Sequence, residues 1–190
     1  VEGEAFKNLN GYCWGHASVT SKFNRLAFFK PDDNEMKNKL KQTADKKDQK
    51  KALKYYKRLI DEVLRNKAVD IPGFKDLQEL SEHKDLQVYL ANKVGDAWGA
   101  RAWTFSGLRA AIGIRKMKRE KSEKLFSDVI KKIDDFQQPQ IVFTKRNKPF
   151  FTHTVLVSGY KVIDGKTVLC IRDNNWDGNN KDGDDCPYVM

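Results

Sequence analysis

Residues 150–173 read FFTHTVLVSGYKVIDGKTVLCIRD. β-Branched and aromatic residues dominate this stretch, and Asp164-Gly165 in its middle is hairpin punctuation. The pattern predicts two antiparallel strands, 152–163 and 166–173, joined by that turn. QIVFT at 140–144 adds a third strand-like run. Most of the chain before Gln137 has helical periodicity instead. A helical first two-thirds followed by a compact antiparallel sheet is the order of an α+β fold.

The first strand of the hairpin carries His153 near its start, in apolar company where an unpaired imidazole is costly. The second strand ends on Asp173. Pairing across the turn brings the two residues out on neighbouring strands near one sheet edge, where a carboxylate can orient an imidazole. A lone strand histidine is usually structural, so it is the joint pattern that points to chemistry. The other two histidines are His83, in the charged segment S-E-H-K-D and expected to be exposed, and His16.

An orienting pair needs a nucleophile to serve. Near the start of the chain, Asn10-Gly11-Tyr12-Cys13-Trp14-Gly15 precedes a helix-like run, WGHASVTSKFNRLAFF at 14–29, with Val19, Phe23, Leu26 and Ala27 at helical spacing. A cysteine there is either a small buried hydrophobe or a thiol at a helix N-terminus, where the dipole and the backbone N–H groups favour the nucleophilic thiolate. His16, three residues on along the same helix, reaches Cys13 only awkwardly. His153 is the better base.

With these residues in place, the chain resembles the papain-like cysteine peptidases. N-G-Y-C-W at the head of a helix is similar to that family's cysteine box. H-T-V-L-V-S-G-Y, followed by a strand and I-R-D-N-N-W, is similar to its histidine box. His153 follows Cys13 by 140 residues (153 minus 13), inside the spacing of the papain signature. The second box looks closest to a bacterial branch with a G-Y-…-D-P-N pattern, in which Asp173-Asn174-Asn175 stands at the Asp-Pro-Asn position. The resemblance covers about the first 30 and last 50 residues.

It implies a papain-like fold, Cys13 as nucleophile, His153 as general base and acid, and Asp173 as the residue that holds the imidazole tautomer. Asn174 is the competing third member, because papain itself uses Asn. The family's oxyanion glutamine, six residues before the cysteine, is Lys7 here, a departure. Asn8 sits in an N-L-x-x-x-C pattern similar to the cysteine box of ubiquitin-specific proteases and is our choice for that role, with Asn10 second. The bacterial character of the second box implies a secreted or translocated protein, an effector among other options. The substrate implied is a protein or peptide, and no cofactor is required.

A different reading is open for the tail. Asp173, Asn175, Asp177 and Asp184, with Gly178 at the turn, match the spacing of an EF-hand calcium loop with Asp in place of the final Glu. The flank is a strand rather than a helix, and Asp/Asn/Gly-rich tails are also ordinary loops. The leading expectation is therefore no metal.

Composition sets the remaining bounds. The chain has 190 residues, 39% of them hydrophobic, enough to bury a core in one domain. We expect a single catalytic domain over 1–190, with a basic helical insertion at 31–136 between the cysteine helix and the sheet. Short helices are expected at 74–82 and 84–94, with a break at Ile71-Pro72-Gly73, and an amphipathic helix at 119–136. No apolar run approaches the roughly 18 residues needed to cross a bilayer, so no membrane span is expected. The chain begins at Val1, which we read as a mature or excised form. Three cysteines fit one free thiol and at most one disulfide, Cys170–Cys186. Trp14, Trp98, Trp103 and Trp176 are candidates to line or pack beside a substrate pocket.

The net charge of +10 is concentrated. Between 37 and 67, twelve Lys/Arg stand against four Asp/Glu. That is either a solvated helix face or a docking surface for an anionic partner. Three functions therefore compete: a peptidase acting through an acyl-thioester on Cys13, a transferase or deamidase using the same triad, and a non-catalytic basic binding module.

Overall fold

The computed structural model describes residues 12–41, 45–102, 118–144, 152–173 and 188–189. They fall into two compact units. One contains Lys22–Asp96 with Tyr12; the other contains Cys13–Ser21 and the described residues from Ala97 onward. The segment 31–136 is thus divided between them. Helix and strand are both well represented, with a small antiparallel sheet in the C-terminal third, so the architecture is α+β.

In the first unit, strands β1 (Ala27–Lys30) and β2 (Val69–Pro72) pair in parallel, Ala27 opposite Val69 and Lys30 opposite Pro72. Parallel partners need a long crossover, and here helices α2 (Glu35–Lys41) and α3 (Lys46–Leu64) form it. Helices α4 (Leu77–Glu82) and α5 (Lys84–Ala102) follow. The helix that opens at Cys13, α1, ends at Leu26 rather than continuing to Phe29. Phe28 and Phe29 favour a strand, and Pro31 biases Lys30 toward an extended backbone. Ile71-Pro72-Gly73, expected as a break, completes β2 and turns out of it. Pro72 gives no N–H to the ladder, which a two-stranded edge tolerates.

The run 34–67 is two helices because Asp45 starts a new one. Its carboxylate accepts the backbone N–H of Lys47 at 2.9 Å and of Asp48 at 3.1 Å. From there α3 buries Ala52, Tyr56, Leu59, Ile60 and Val63. Tyr56 meets Phe74 edge-on with 5.2 Å between ring centres, and its hydroxyl donates to the Pro72 carbonyl at 3.0 Å. Burial holds that phenol well above its ordinary pKa, so it remains a donor. One aromatic contact and one buried hydrogen bond thus fasten α3 to the end of β2. Helix α5 continues through Gly95 to Ala102, beyond the expected end near 94.

In the second unit, the sheet runs β3 (Gln140–Thr144), β4 (Thr152–Ile163), β5 (Lys166–Arg172), β6 (Tyr188–Val189), antiparallel throughout. Helix α6 (Arg119–Asp134) covers one face. Its Phe126, Val129, Ile130 and Ile133 pack with Ile141, Val157, Leu169 and Ile171. Leu125 and Phe136, placed on that apolar stripe by spacing, are both exposed. Phe136 lies past the helix end at φ +57°, so the helical period no longer determines its direction.

Gly73 and Gly165 both have positive φ, +80° and +72°. A Cβ on Gly73 would stand 2.7 Å from Lys37 Cβ, whereas one on Gly165 would meet nothing within 4 Å. Backbone strain alone costs an L-residue about 1–2 kcal/mol in this region. We therefore expect Gly165→Ala to lower stability by about that amount. Gly73→Ala should cost measurably more, as read from urea unfolding midpoints of the two variants. Equal losses would mean that Lys37 moves aside freely.

Candidate active site

The two-residue Asp164-Gly165 turn fixes Ile163 opposite Lys166, and the ladder proceeds regularly to Gly159 opposite Cys170. There β4 holds one residue too many. Val157, not Ser158, faces Ile171, and Leu156 faces Arg172. Ser158 is looped out as a β-bulge, and its hydroxyl donates to the Cys170 carbonyl at 3.2 Å. Side chains alternate between faces, so this one residue decides what Asp173 can touch. A regular ladder would set Asp173 opposite Leu156, on the face away from His153. With Ser158 looped out, the ladder ends at Leu156 opposite Arg172, which puts Asp173, the next residue, level with Val155. His153 then lies diagonally across on the same face.

The result is a close pair. His153 Nε2 and Asp173 Oδ2 are 2.7 Å apart, with the two side chains only 23% and 17% exposed. β3 flanks them, with Phe143 opposite His153. A carboxylate acceptor on Nε2 favours the tautomer with the proton there, which makes Nδ1 the basic nitrogen. The pair occupies the end of the face whose apolar residues pack on α6.

Cys13 belongs to the same unit and is the first residue of α1, half-buried and in no disulfide. Tyr12 contributes no side-chain cap, and the first turn of α1 has no acidic residue. The positive end of the helix therefore acts on Cys13 without a carboxylate in that turn to offset it. None of residues 12–23 is exposed, so the first three turns of the helix are covered. Ser21, 4% exposed, donates to the Gln138 carbonyl at 3.1 Å. That bond ties the cysteine helix to the segment entering β3, the neighbour of the histidine strand.

His16 is half-buried one turn into α1, and burial lowers its pKa below the ordinary imidazole value. It is therefore neutral at pH 7 and no source of positive charge for Cys13. His83 is half-buried rather than exposed, with a buried Nδ1, because it sits at the tight junction between α4 and α5. Of the aromatic candidates, Trp14 is half-buried and Trp98 is exposed.

Several expected site residues lie outside the described residues: Asn8, Asn10, Asn174, Asn175, Asp177, Asp184, Trp103 and Trp176. Of the calcium-loop spacing only Asp173 is described, and its Oδ2 faces His153. Among the described residues no group of three or more His, Cys, Asp or Glu converges as a metal site. Cys170 is disulfide-bonded, and the expected partner Cys186 lies outside the described residues. Ser158 is the residue that sequence reading overlooked; the signal available was the odd residue count imposed by a two-residue turn. No family model, curated protein or solved structure matches the chain.

The His16 shift has a pH consequence. Its folded-state pKa lies below the unfolded value near 6.5, so the unfolded chain takes up this proton first as pH falls. The stabilisation from keeping His16 neutral is full above about pH 6.5 and declines below it. Thermal midpoints at pH 7.5 and pH 5 should show a smaller acid-side drop in His16→Gln than in the parent. An equal drop would show that His16 takes up its proton without cost in the folded protein.

Proposed function

We propose that the chain is a papain-like cysteine hydrolase that cleaves peptide or isopeptide bonds through an acyl-thioester on Cys13. The observation that carries the reading is the half-buried His153–Asp173 pair at 2.7 Å, in the same unit as a reduced cysteine at a helix N-terminus. The likeness of the cysteine and histidine boxes to the papain-like family supports it. So does the order of elements, a covered helix first and an antiparallel sheet last.

In this mechanism His153 accepts the Cys13 proton at Nδ1 while Asp173 stabilises the imidazolium through Nε2–H. The thiolate attacks the scissile carbonyl. Negative charge on the tetrahedral oxygen is met by the backbone N–H groups at the head of α1, the location of a helix's unpaired donors. His153 then returns the proton to the departing amine, leaving the acyl-thioester. Water, activated by the same imidazole, releases the acid and restores the thiol. A primary amine attacking in place of water gives the transferase reaction. Release of ammonia from a glutamine side chain gives the deamidase reaction. The acyl-enzyme is common to all three.

Site-resolved mass spectrometry after iodoacetamide or E-64 treatment between pH 5 and pH 8 tests this directly. Cys13 should label rapidly from the acid end of that range. His153→Ala should slow labelling at pH 6 by about tenfold or more. Turnover of a labelled protein substrate should vanish in Cys13→Ala and fall by about 10²–10⁴-fold in His153→Ala. Labelling that rises only at the alkaline end, unchanged by His153→Ala, would remove His153 from the mechanism and leave Cys13 a structural thiol.

A further inference from the structure

Every exposed residue from Lys46 to Arg58 is a lysine or arginine: Lys46, Lys47, Lys50, Lys51, Lys54 and Arg58. At about 100° per residue, Lys50, Lys51, Lys54 and Arg58 all project within about 60° of Lys47. They form one straight stripe about 16 Å long. Asp48 lies 3.5 Å from Lys51, and the capping carboxylate of Asp45 stands at the start of the stripe. Beyond the stripe, Asp61 is occupied by Lys93 at 2.9 Å and by the Tyr89 hydroxyl.

The charges run against the helix. Cations are disfavoured at a helix N-terminus and favoured at its C-terminus. α6 ends as this favours, on Lys131 and Lys132, although Lys118 and Arg119 stand beside Glu120 at its start. α3 sets Lys46 and Lys47 between the capping Asp45 and Asp48 at its start, and has no basic residue in its last turn. The cations of α3 are therefore not gathered at the end where the dipole favours them, and the stripe is open to a partner.

We infer that this face of α3 docks on the phosphate backbone of a nucleic acid duplex, without reading its sequence. A protein partner would need an apolar, aromatic anchor at the centre of the contact. Here Tyr56, Leu59, Ile60 and Val63 point into the core, and the one aromatic beside the stripe, Tyr55, is half-buried beneath Arg58. A membrane-binding helix inserts an apolar side, and α3's is already buried. What remains is pure charge, which suits a duplex: about ten phosphates over the same 16 Å, with affinity drawn from released counterions. The surface lies in the first unit and does not involve Cys13, so it stands independently of the hydrolase reading.

The test is fluorescence anisotropy of the full chain with two unrelated labelled DNA duplexes, titrated at several salt concentrations. Five phosphate contacts predict a slope of log affinity against log salt near −4.5, or about 500-fold weaker binding at 200 mM than at 50 mM salt. The two duplexes should bind equally. Lys47→Gln with Lys54→Gln should bring the slope to about −2.7. The same double variant should melt no lower than the parent, because a cation leaves the positive end of α3. Lys131→Gln with Lys132→Gln removes the same charge elsewhere and should leave the slope unchanged. Equal slope changes in both double variants would overturn the inference, reducing it to net charge. So would absent binding, or tighter binding to phosphatidylserine vesicles than to either duplex.

Discussion

A hairpin closed by a two-residue turn leaves its strands no freedom of register, and that constraint governs the C-terminal half of this protein. Once Ile163 stands opposite Lys166, the face of each later side chain follows by alternation. The apolar face under α6 needs Val157 beside Ile171 and Leu169, and the histidine needs its carboxylate on that same face. Neither is met by a regular ladder starting from this turn. One looped-out serine reconciles them, and core packing and the polar pair are satisfied by the same displacement.

The unit is arranged so that polar groups sit at the ends of apolar layers. The imidazole and carboxylate lie beyond Val155 and Val157, each at most 1% exposed. The thiol lies at the open end of a helix whose body is covered. A charged or reactive group in such a place has its surroundings fixed by the packing behind it, and the solvent around it is limited. Such preorganisation allows electrostatic stabilisation to act without rearrangement. The hydrogen bond from Ser21 to Gln138 is modest, about 1 kcal/mol by the usual measure. Its value is positional, because it joins the helix with the thiol to the chain leading into the sheet.

Much of this was legible in the residues, and the parts that were not have physical causes. Asp164-Gly165 announced its turn because positive φ at both positions restricts the choice of residue. The long periodic helices were visible because burial of one face repeats every turn. β1 and β2 were not, being four residues each, with no period to detect and a proline at one end. Their pairing is decided by a crossover some forty residues long, a relation that no local window contains. The closeness of His153 and Asp173 followed from the turn alone, but their shared face did not. That depended on Ser158, whose identity does not distinguish a bulge from an ordinary strand position. Phe136 failed for the opposite reason, since its spacing fitted the helix but the helix had already ended.

The bulge makes β4 unequal in its tolerance of changes in chain length. Strands ordinarily resist single-residue indels, because each one reverses every side chain beyond it. Here loss of Ser158 would straighten the ladder and leave Leu156 opposite Arg172, with the polar pair still on one face. Loss of any residue between His153 and Val157 would send the imidazole to the far side of the sheet. One strand thus contains a position where length is negotiable, only a few residues from a stretch where it is not.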